Sequence, residues 1–341
     1  MSPAKHVQEA VSNVEKKLSE KGGKLPKTGT SAPFPRDYQP ELDTTPELNP
    51  EQANYYQSQI GILRWIVEIG RLDIITEVST LSTFLAAPRE GHLQCIHHVY
   101  GYLKRKHNSR MVFDPTYPSV NPDHFLERDW SNCYGDVQEA VPPDAPDPLG
   151  SSVDLRLYVD SSHADDAKTR RSRTGFFIFL NSACIDWMSK KQGTVETSVF
   201  GAEFVALKVG MEKIRALRYK LRMMGVPLSG PAYVYGDNMS VIYNTQSPES
   251  QLKKKSNQIC YHAVRESVAM GEILTTHIPT DMNVGDLATK IIPAGQKRET
   301  LVSMLLHDIF DEHQPEDSEE QPPPSKKLKR VHRKRGKKGR R

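Results

Sequence analysis

No run in this 341-residue sequence approaches the roughly 18 consecutive apolar residues that a membrane-spanning helix requires. The N-terminus, MSPAKHVQEAVSNVEKK, lacks the apolar core of a secretory signal. Cysteine is scarce. Cys95, Cys133, Cys184 and Cys260 are scattered with no CxxC spacing, which argues against a zinc site or a disulfide framework and fits reduced thiols inside a cell. No segment repeats. Acid is missing from the C-terminal end: residues 322–341 hold 11 of the 46 Lys and Arg and no Asp or Glu, leaving 35 basic against 42 acidic residues before them, a net of −7. The basic excess is therefore a tail, and charge alone argues for nucleic-acid binding only there.

What is present divides the chain. Residues 1–50 begin with a charged, weakly helical stretch and turn polar and proline-rich, so they are expected to be mostly extended. Within 51–115, Ile60, Ile62, Leu63, Ile66 and Ile69 recur at helical spacing. A second apolar pattern runs over 72–87 and stops at Pro88, and a third carries Leu93, Ile96, Val99 and Leu103. Three such patterns with short breaks predict a small helical subdomain. Residues 116–150 end in VPPDAPDPLG and read as a proline-rich linker. From 151 to 310 strand signals dominate. Leu155, Leu157 and Val159 alternate with polar residues, Thr174–Leu180 and 183–188 form a hairpin around Asn181-Ser182, and 198–221 is a long helix. Strand, helix, strand and a short helix follow at 232–237, 256–270, 273–278 and 285–290. This order predicts an α/β fold with a mixed sheet. Residues 311–341, acidic and then basic, are expected to be disordered.

Four carboxylates stand where chemistry can be done, and each has an ordinary reading beside the functional one. Glu203 lies in the apolar stripe of its helix, between Phe200 and Leu207, where a carboxylate is costly unless paired or bound to a cation; a buried arginine would serve equally. Asp160 and Asp237 close strands, where ligands gather in α/β sheets, but Asp after Gly at a strand end is also an ordinary turn signal. Asp286 can be a plain helix N-terminal acid. Taken together they fit one chemistry: several acids converging from different elements repel one another, and a divalent cation relieves that. All-oxygen donors suit Mg²⁺, with Mn²⁺ as a substitute, and two ions about 4 Å apart can activate water and stabilise a leaving oxygen at phosphorus.

The strings LYVDSSHADD, TRRSRTGFFIFLN, IDWMSKKQGTVETSVFGAEFVALK, VYGDNMSVI, LKKKSNQICYHAVRE and VGDLATK, in this order, resemble the ribonuclease H domain of copia-type LTR-retrotransposon Pol polyproteins. YYQSQIGILRWIVEIGRLDI and GYLKRKHNSRMVFDP resemble the same family's C-terminal reverse-transcriptase connection. The resemblance implies a ribonuclease H-like fold, a five-stranded mixed sheet flanked by helices and preceded by a small helical subdomain. It also implies a hydrolase, a Mg²⁺-dependent endonuclease cutting the RNA strand of RNA/DNA hybrids, with Asp160, Glu203, Asp237 and Asp286 as both catalytic residues and ligands of two ions. Ser162 departs from the family's common aspartate two positions after the first ligand. The polymerase palm with its YxDD-type aspartates is not in this sequence, so no polymerase activity is expected from the chain alone, and a separate polymerase segment is a candidate partner.

For the hybrid backbone the candidates are Lys190, Lys191 and Gln192 in SKKQ, Lys253, Lys254 and Lys255 in LKKKS, and Asn238 beside Asp237. Arg171 and Arg173 read rather as loop residues, His277 as a structural strand histidine, and His262 and Arg265 stay open. The terminal basic run is expected to contact nucleic acid or the nuclear import machinery. An intracellular protein follows, in the nucleus if that run is an import signal and in a cytoplasmic particle otherwise. The alternative reading is a catalytically silent retrotransposon relic that binds nucleic acid through its fold and basic tail.

Overall fold

The computed structural model describes residues 3–307 without 29, 36, 253 and 254; the terminal stretch 311–341, with its expected disorder, lies outside the described residues. The stretch read as weakly helical forms a full helix, α1 (Ala4–Ser19), because Val7, Ala10, Val11 and Val14 share one stripe and bury it, so the first 50 residues are less extended than expected. Helix α2 (Pro50–Glu68) starts at a reciprocal cap in which Asn49 Oδ1 accepts from the Gln52 amide at 2.9 Å and Gln52 Oε1 accepts from the Asn49 amide at 3.2 Å. Its buried face is Tyr56, Ile60, Leu63 and Ile66. Helices α3 (Ile75–Leu81) and α4 (Glu90–Arg105) follow, separated around Pro88 as the sequence predicts, and α1 packs on α4. The polar stretch between α1 and α2 is tied down by side chains: His98 Nε2 lies 3.2 Å from the Ala32 carbonyl and His92 Nε2 lies 2.9 Å from that of Pro40.

The predicted linker does more than connect. Phe125 packs against Tyr233 and Tyr235, Trp130 is buried in a core, a short helix α5 (Ser131–Tyr134) follows, and Glu139 forms ion pairs with Arg218 and Arg222. A few anchors are enough to hold proline-rich backbone that has no ladder of its own.

Strands β1 (Leu155–Ser161), β2 (Arg173–Leu180) and β3 (Ala183–Lys191) make an antiparallel meander, with Asn181 in the left-handed region at φ 50° in the tight turn. Helix α6 (Val199–Met223) then carries the chain to β4 (Ala232–Gly236), which pairs parallel with β1. Helices α7 (Met239–Gln246) and α8 (Gln258–Ala269) precede β5 (Ile273–His277), parallel to β4. The turn α9 (Asp286–Thr289) and helix α10 (Gln296–Ser303) close the described chain. The sheet order is β3-β2-β1-β4-β5, a five-stranded mixed sheet flanked by helices and preceded by helices, which is the ribonuclease H-like architecture expected above.

Both faces of the sheet are covered. One carries Leu157, Val159, Phe176 and Ile178 against Phe204, Leu207, Met211 and Val264 of α6 and α8. The other presents Phe177 and Phe179 to a core that includes Leu287, Leu301 and Leu305 together with Ile60, Ile66, Val78 and Ile96 of the early helices. The helical segment and the α/β segment thus share one core, and Met1–Phe310 form one contact unit. Polar bonds cross the same seam. Thr76 donates to the Leu287 carbonyl at 2.7 Å, Ser79 to that of Ser189 at 2.8 Å, and Arg298 pairs with Glu77 at 3.4 Å. Arg71 grips Asp73 through two bonds of 2.9 and 2.7 Å, both residues being enclosed, and Tyr102 donates to Asp73 at 2.7 Å.

Candidate metal centre

Parallel pairing of β1 and β4 places Tyr158 opposite Tyr235. Two residues further on stand Asp160, next to last in β1, and Asp237, just past the end of β4, so the two carboxyls emerge close together at one edge of the sheet. Glu203, in the second turn of α6, reaches the same edge because α6 packs across β1. One carboxylate oxygen from each of Asp160, Glu203 and Asp237 lies within 4.8 Å of the others. Asp160 is fully buried, and Glu203 and Asp237 are partly exposed. The three open into a cleft of about 520 Å³ that Ser161, His163, Val199, Asn238 and Lys290 also line.

Burial pushes the Asp160 carboxyl up to about 7; Asp286 and Asp237 add repulsion, while Lys290 and the Thr289 hydroxyl oppose the rise. Burial likewise lifts Glu203 well above the usual carboxylate range, with Asp160 and Asp237 raising it further. Negative charge gathered here is costly in the protein alone. The donor set fits a divalent cation: three oxygen-bearing side chains from three elements, close together and open to solvent on one side.

Asp286 does not join the trio. It is fully buried at the start of α9, and both of its oxygens are taken, by the ammonium groups of Lys290 and Lys297. Yet its turn is pressed against the site. Gly175, opposite Asp160 in the β1–β2 register, leaves room for α9: a Cβ there would stand 2.6 Å from Ala288 Cβ and from Thr289 Cγ2. Asn283 Nδ2 donates to the Val159 carbonyl at 3.1 Å, and the Thr289 hydroxyl donates to the Asp160 carboxylate. Lys290 Nζ lies 3.3 Å from Asp160 Oδ2, so one ammonium bridges Asp160 and Asp286. Burial alone would lower this lysine, yet Asp160 and Asp286 hold it above its ordinary range. The sequence reading passed over Thr289 and Lys290. Their signal was spacing, since they stand three and four residues after Asp286 and so on its side of a helical turn.

The expected backbone contacts divide. Lys190 and Lys255 are exposed; Lys253 and Lys254 lie outside the described residues. Lys191 is paired with Asp166. Gln192 is buried, its amide donating to Thr174 Oγ1 and to the Ala202 carbonyl at 3.0 Å each, so it clips the loop after β3 to α6 rather than facing solvent. Asn238 caps α7, its Oδ1 accepting from the amides of Ser240 and Val241. Arg173 is buried against Ser79, Thr80 and Ser189, while Arg171 is exposed. Arg265 stacks on Trp130 and Tyr261 and donates to the carbonyls of Asn244, Ser247 and Pro248, a packing role; His262 meets the Tyr134 hydroxyl at 2.9 Å, and His277 is exposed at the end of β5.

No family model matches the chain. It is 26% identical over 237 residues to the retrovirus-related Pol polyprotein from transposon RE1 of Arabidopsis thaliana, covering 69% of this chain and 14% of that protein. The corresponding polyprotein from transposon TNT 1-94 of Nicotiana tabacum is 27% identical over 240 residues, covering 70% and 15%. The chain therefore spans about one-seventh of the length of these curated relatives. Among solved structures, LC11-RNase H1 in complex with an RNA/DNA hybrid aligns at a TM-score of 0.32 and 16% identity, over 40% of this chain and 93% of that one.

Proposed function

We propose that this chain, homologous to retrovirus-related Pol polyproteins from transposons, is a Mg²⁺-dependent ribonuclease H that hydrolyses the RNA strand of RNA/DNA hybrids. The observation that carries this reading is the meeting of Asp160, Glu203 and Asp237 within 4.8 Å at the mouth of an open cleft. Apolar packing does not account for this grouping, and among the described residues the one ammonium that pairs with the trio, that of Lys290, meets Asp160 and neither Glu203 nor Asp237.

In this reading the three side chains supply the oxygen donors, and their placement at the ends of two paired strands and on one helix keeps them rigid. Divalent ions, when bound there, supply Lewis acidity at the scissile phosphodiester and make a bound water acidic. Asp160 must give up its proton to serve as a ligand, which couples loading to pH. In this reading the exposed Lys190 holds the backbone. In register it follows Ser189, which pairs with Gly175 across from Asp160, so it stands two strands away from the carboxyls, about 10 Å at the usual strand spacing. Lys255 and the basic tail add further phosphate contacts. Hydrolysis leaves a 3′-hydroxyl and a 5′-phosphate.

The test is cleavage of a labelled hybrid by the full chain with Mg²⁺. Asp160→Asn, Glu203→Gln and Asp237→Asn are each expected to lower the rate by roughly 100-fold or more while the fold is kept. Binding of the hybrid without cleavage, lost on deletion of residues 322–341, would replace this reading with that of a silent binder.

A further inference from the structure

Asp160 enters the trio on a soft torsion. The χ2 angle of an aspartate is a broad two-fold rotation, so the residue by itself does not choose which oxygen faces Glu203 and Asp237. Two partners at the end of α9 reach its carboxylate, and they differ in kind. Lys290 Nζ stands 3.3 Å from Oδ2 and 3.4 Å from Oδ1, so it offsets charge without choosing between them, from a flexible stem. The Thr289 hydroxyl donates to Oδ2. Its other acceptors, the carbonyls of Gly285 and Asp286, are each 3.4 Å away, and a hydroxyl has one proton to give. Branching at Cβ limits a threonine to few rotamers, so the backbone of α9 decides where this oxygen stands. That backbone is held from two sides. Toward the sheet there is no slack: a Cβ added at Gly285 would meet the Cβ and the amide nitrogen of Asp160 at 3.0 and 3.1 Å. From the other side Thr76 of α3 donates to the Leu287 carbonyl at 2.7 Å, in a buried bond between residues 211 positions apart. A path of contacts thus runs from the early helices through α9 to Asp160.

We propose that Thr289 is a positioning residue: its hydroxyl turns the Asp160 carboxylate toward Glu203 and Asp237, and α3 holds Thr289 in place through Thr76. The inference rests on the reading of Asp160, Glu203 and Asp237 as a metal centre. Thr289 is buried and is not among the residues lining the cleft, so it acts through Asp160 rather than on an ion or a substrate. One oxygen of Asp160 is committed to α9, and the other is left to the centre. A hydroxyl suits this task, since it binds a carboxylate directionally and adds no charge of its own. The early helices then do more than cover the sheet: through Thr76 they help to set the angle of a ligand on β1.

Mn²⁺ binding to the full chain, followed by the electron-spin resonance of the free ion, tests this without nucleic acid or turnover. Thr289→Val keeps the branched shape and removes the donor, and is expected to weaken Mn²⁺ binding by about tenfold or more. Thr289→Ser keeps the donor and is expected to restore most of that affinity, which a loss of packing alone would not allow. Thr76→Val should weaken binding in the same direction by a smaller factor. Thr76→Val combined with Thr289→Val should cost no more than Thr289→Val alone, because one path carries both effects. Affinity unchanged in Thr289→Val, or as weak in Thr289→Ser as in Thr289→Val, overturns the role of the hydroxyl. Effects of the two positions that simply multiply overturn the path from α3. Each of these results leaves the metal centre standing. If wild type takes up no Mn²⁺, or Asp160→Asn binds it as wild type does, the centre itself falls and the proposal with it.

Discussion

A carboxyl with no exposed surface, such as Asp160, is paid for by whatever replaces its lost water. Here the replacements are one hydroxyl, one ammonium and, in the proposed function, a divalent ion. The sign of its pH dependence follows. The Asp160 and Glu77 carboxyls, both raised by burial to about 7, keep protons in the folded chain that the unfolded chain has already released. Between about pH 4 and pH 7 the native state therefore binds more protons, and their contribution to stability falls as pH rises through that window. In chelator, thermal unfolding is expected to show this loss, set against the opposite trend of carboxyls lowered by partners, such as Asp73 and Glu139. Divalent ions reverse it at the trio. The rise in melting temperature with Mn²⁺ should be larger at about pH 8 than at about pH 5, because the ion competes with the proton. Glu203→Gln removes the repulsion and a ligand together. It should unfold at a higher temperature than wild type in chelator and lose most of the Mn²⁺-dependent gain. At this scale the sequence was half legible. Asp160, Glu203 and Asp237 were found from motifs, but the burial of Gln192 was not, since a polar residue among lysines carries no mark of the Thr174 and Ala202 partners that enclose it.

Elements set the geometry that residues use. Strand β1 is hydrogen-bonded to β2 on one side and, as far as Tyr158, to β4 on the other, and Asp160 pairs with Gly175 of β2 beyond that point. On the far side of the sheet, the bend between α2 and α3 is locked by Arg71 on Asp73, with Tyr102 of α4 completing the carboxylate. Both charges are fully enclosed, so Arg71→Met leaves a buried carboxylate without its cation. Urea unfolding should show a loss of about 3–5 kcal/mol, far more than the cost of removing an exposed pair. Gly175 works by what it omits, since any side chain there collides with α9. Strand alternation and helical periodicity were legible here, down to the stop at Pro88. Helix α1 was legible only as a weak helical pattern, because nothing local says that its stripe from Val7 to Val14 is buried until α4 lies against it.

At the scale of the whole molecule, the early helices are half of the cover that the sheet needs. Phe177, Phe179 and Cys184 share a core with residues of α2, α3 and α4, and a sheet face of that kind is a liability when bare. A fragment of residues 151–310 is expected to bind a hydrophobic dye strongly and to unfold without a sharp transition, whereas the full chain stays dark and cooperative. A fragment as stable as the full chain would refute the shared core. No helix among the described residues is long and apolar enough to cross a membrane. Nearly all of this scale was invisible beforehand: the sequence predicts a helical subdomain and an α/β domain, and nothing in either pattern says that they touch.

Local order belongs to the sequence by itself. The alternation in Leu155–Ser161, the stripe of Leu63 and Ile66, the asparagine turn at 181 and the order of the acidic motifs all depend on neighbours within a few residues. Tertiary structure alone decided which charges meet. Lys290 reaches Asp160 across 130 positions of chain, and Arg298 reaches Glu77 across 221. Those partnerships depend on the order of strands in the sheet and on the faces its helices cover, and backbone preferences, which act over one or two turns, carry no record of either.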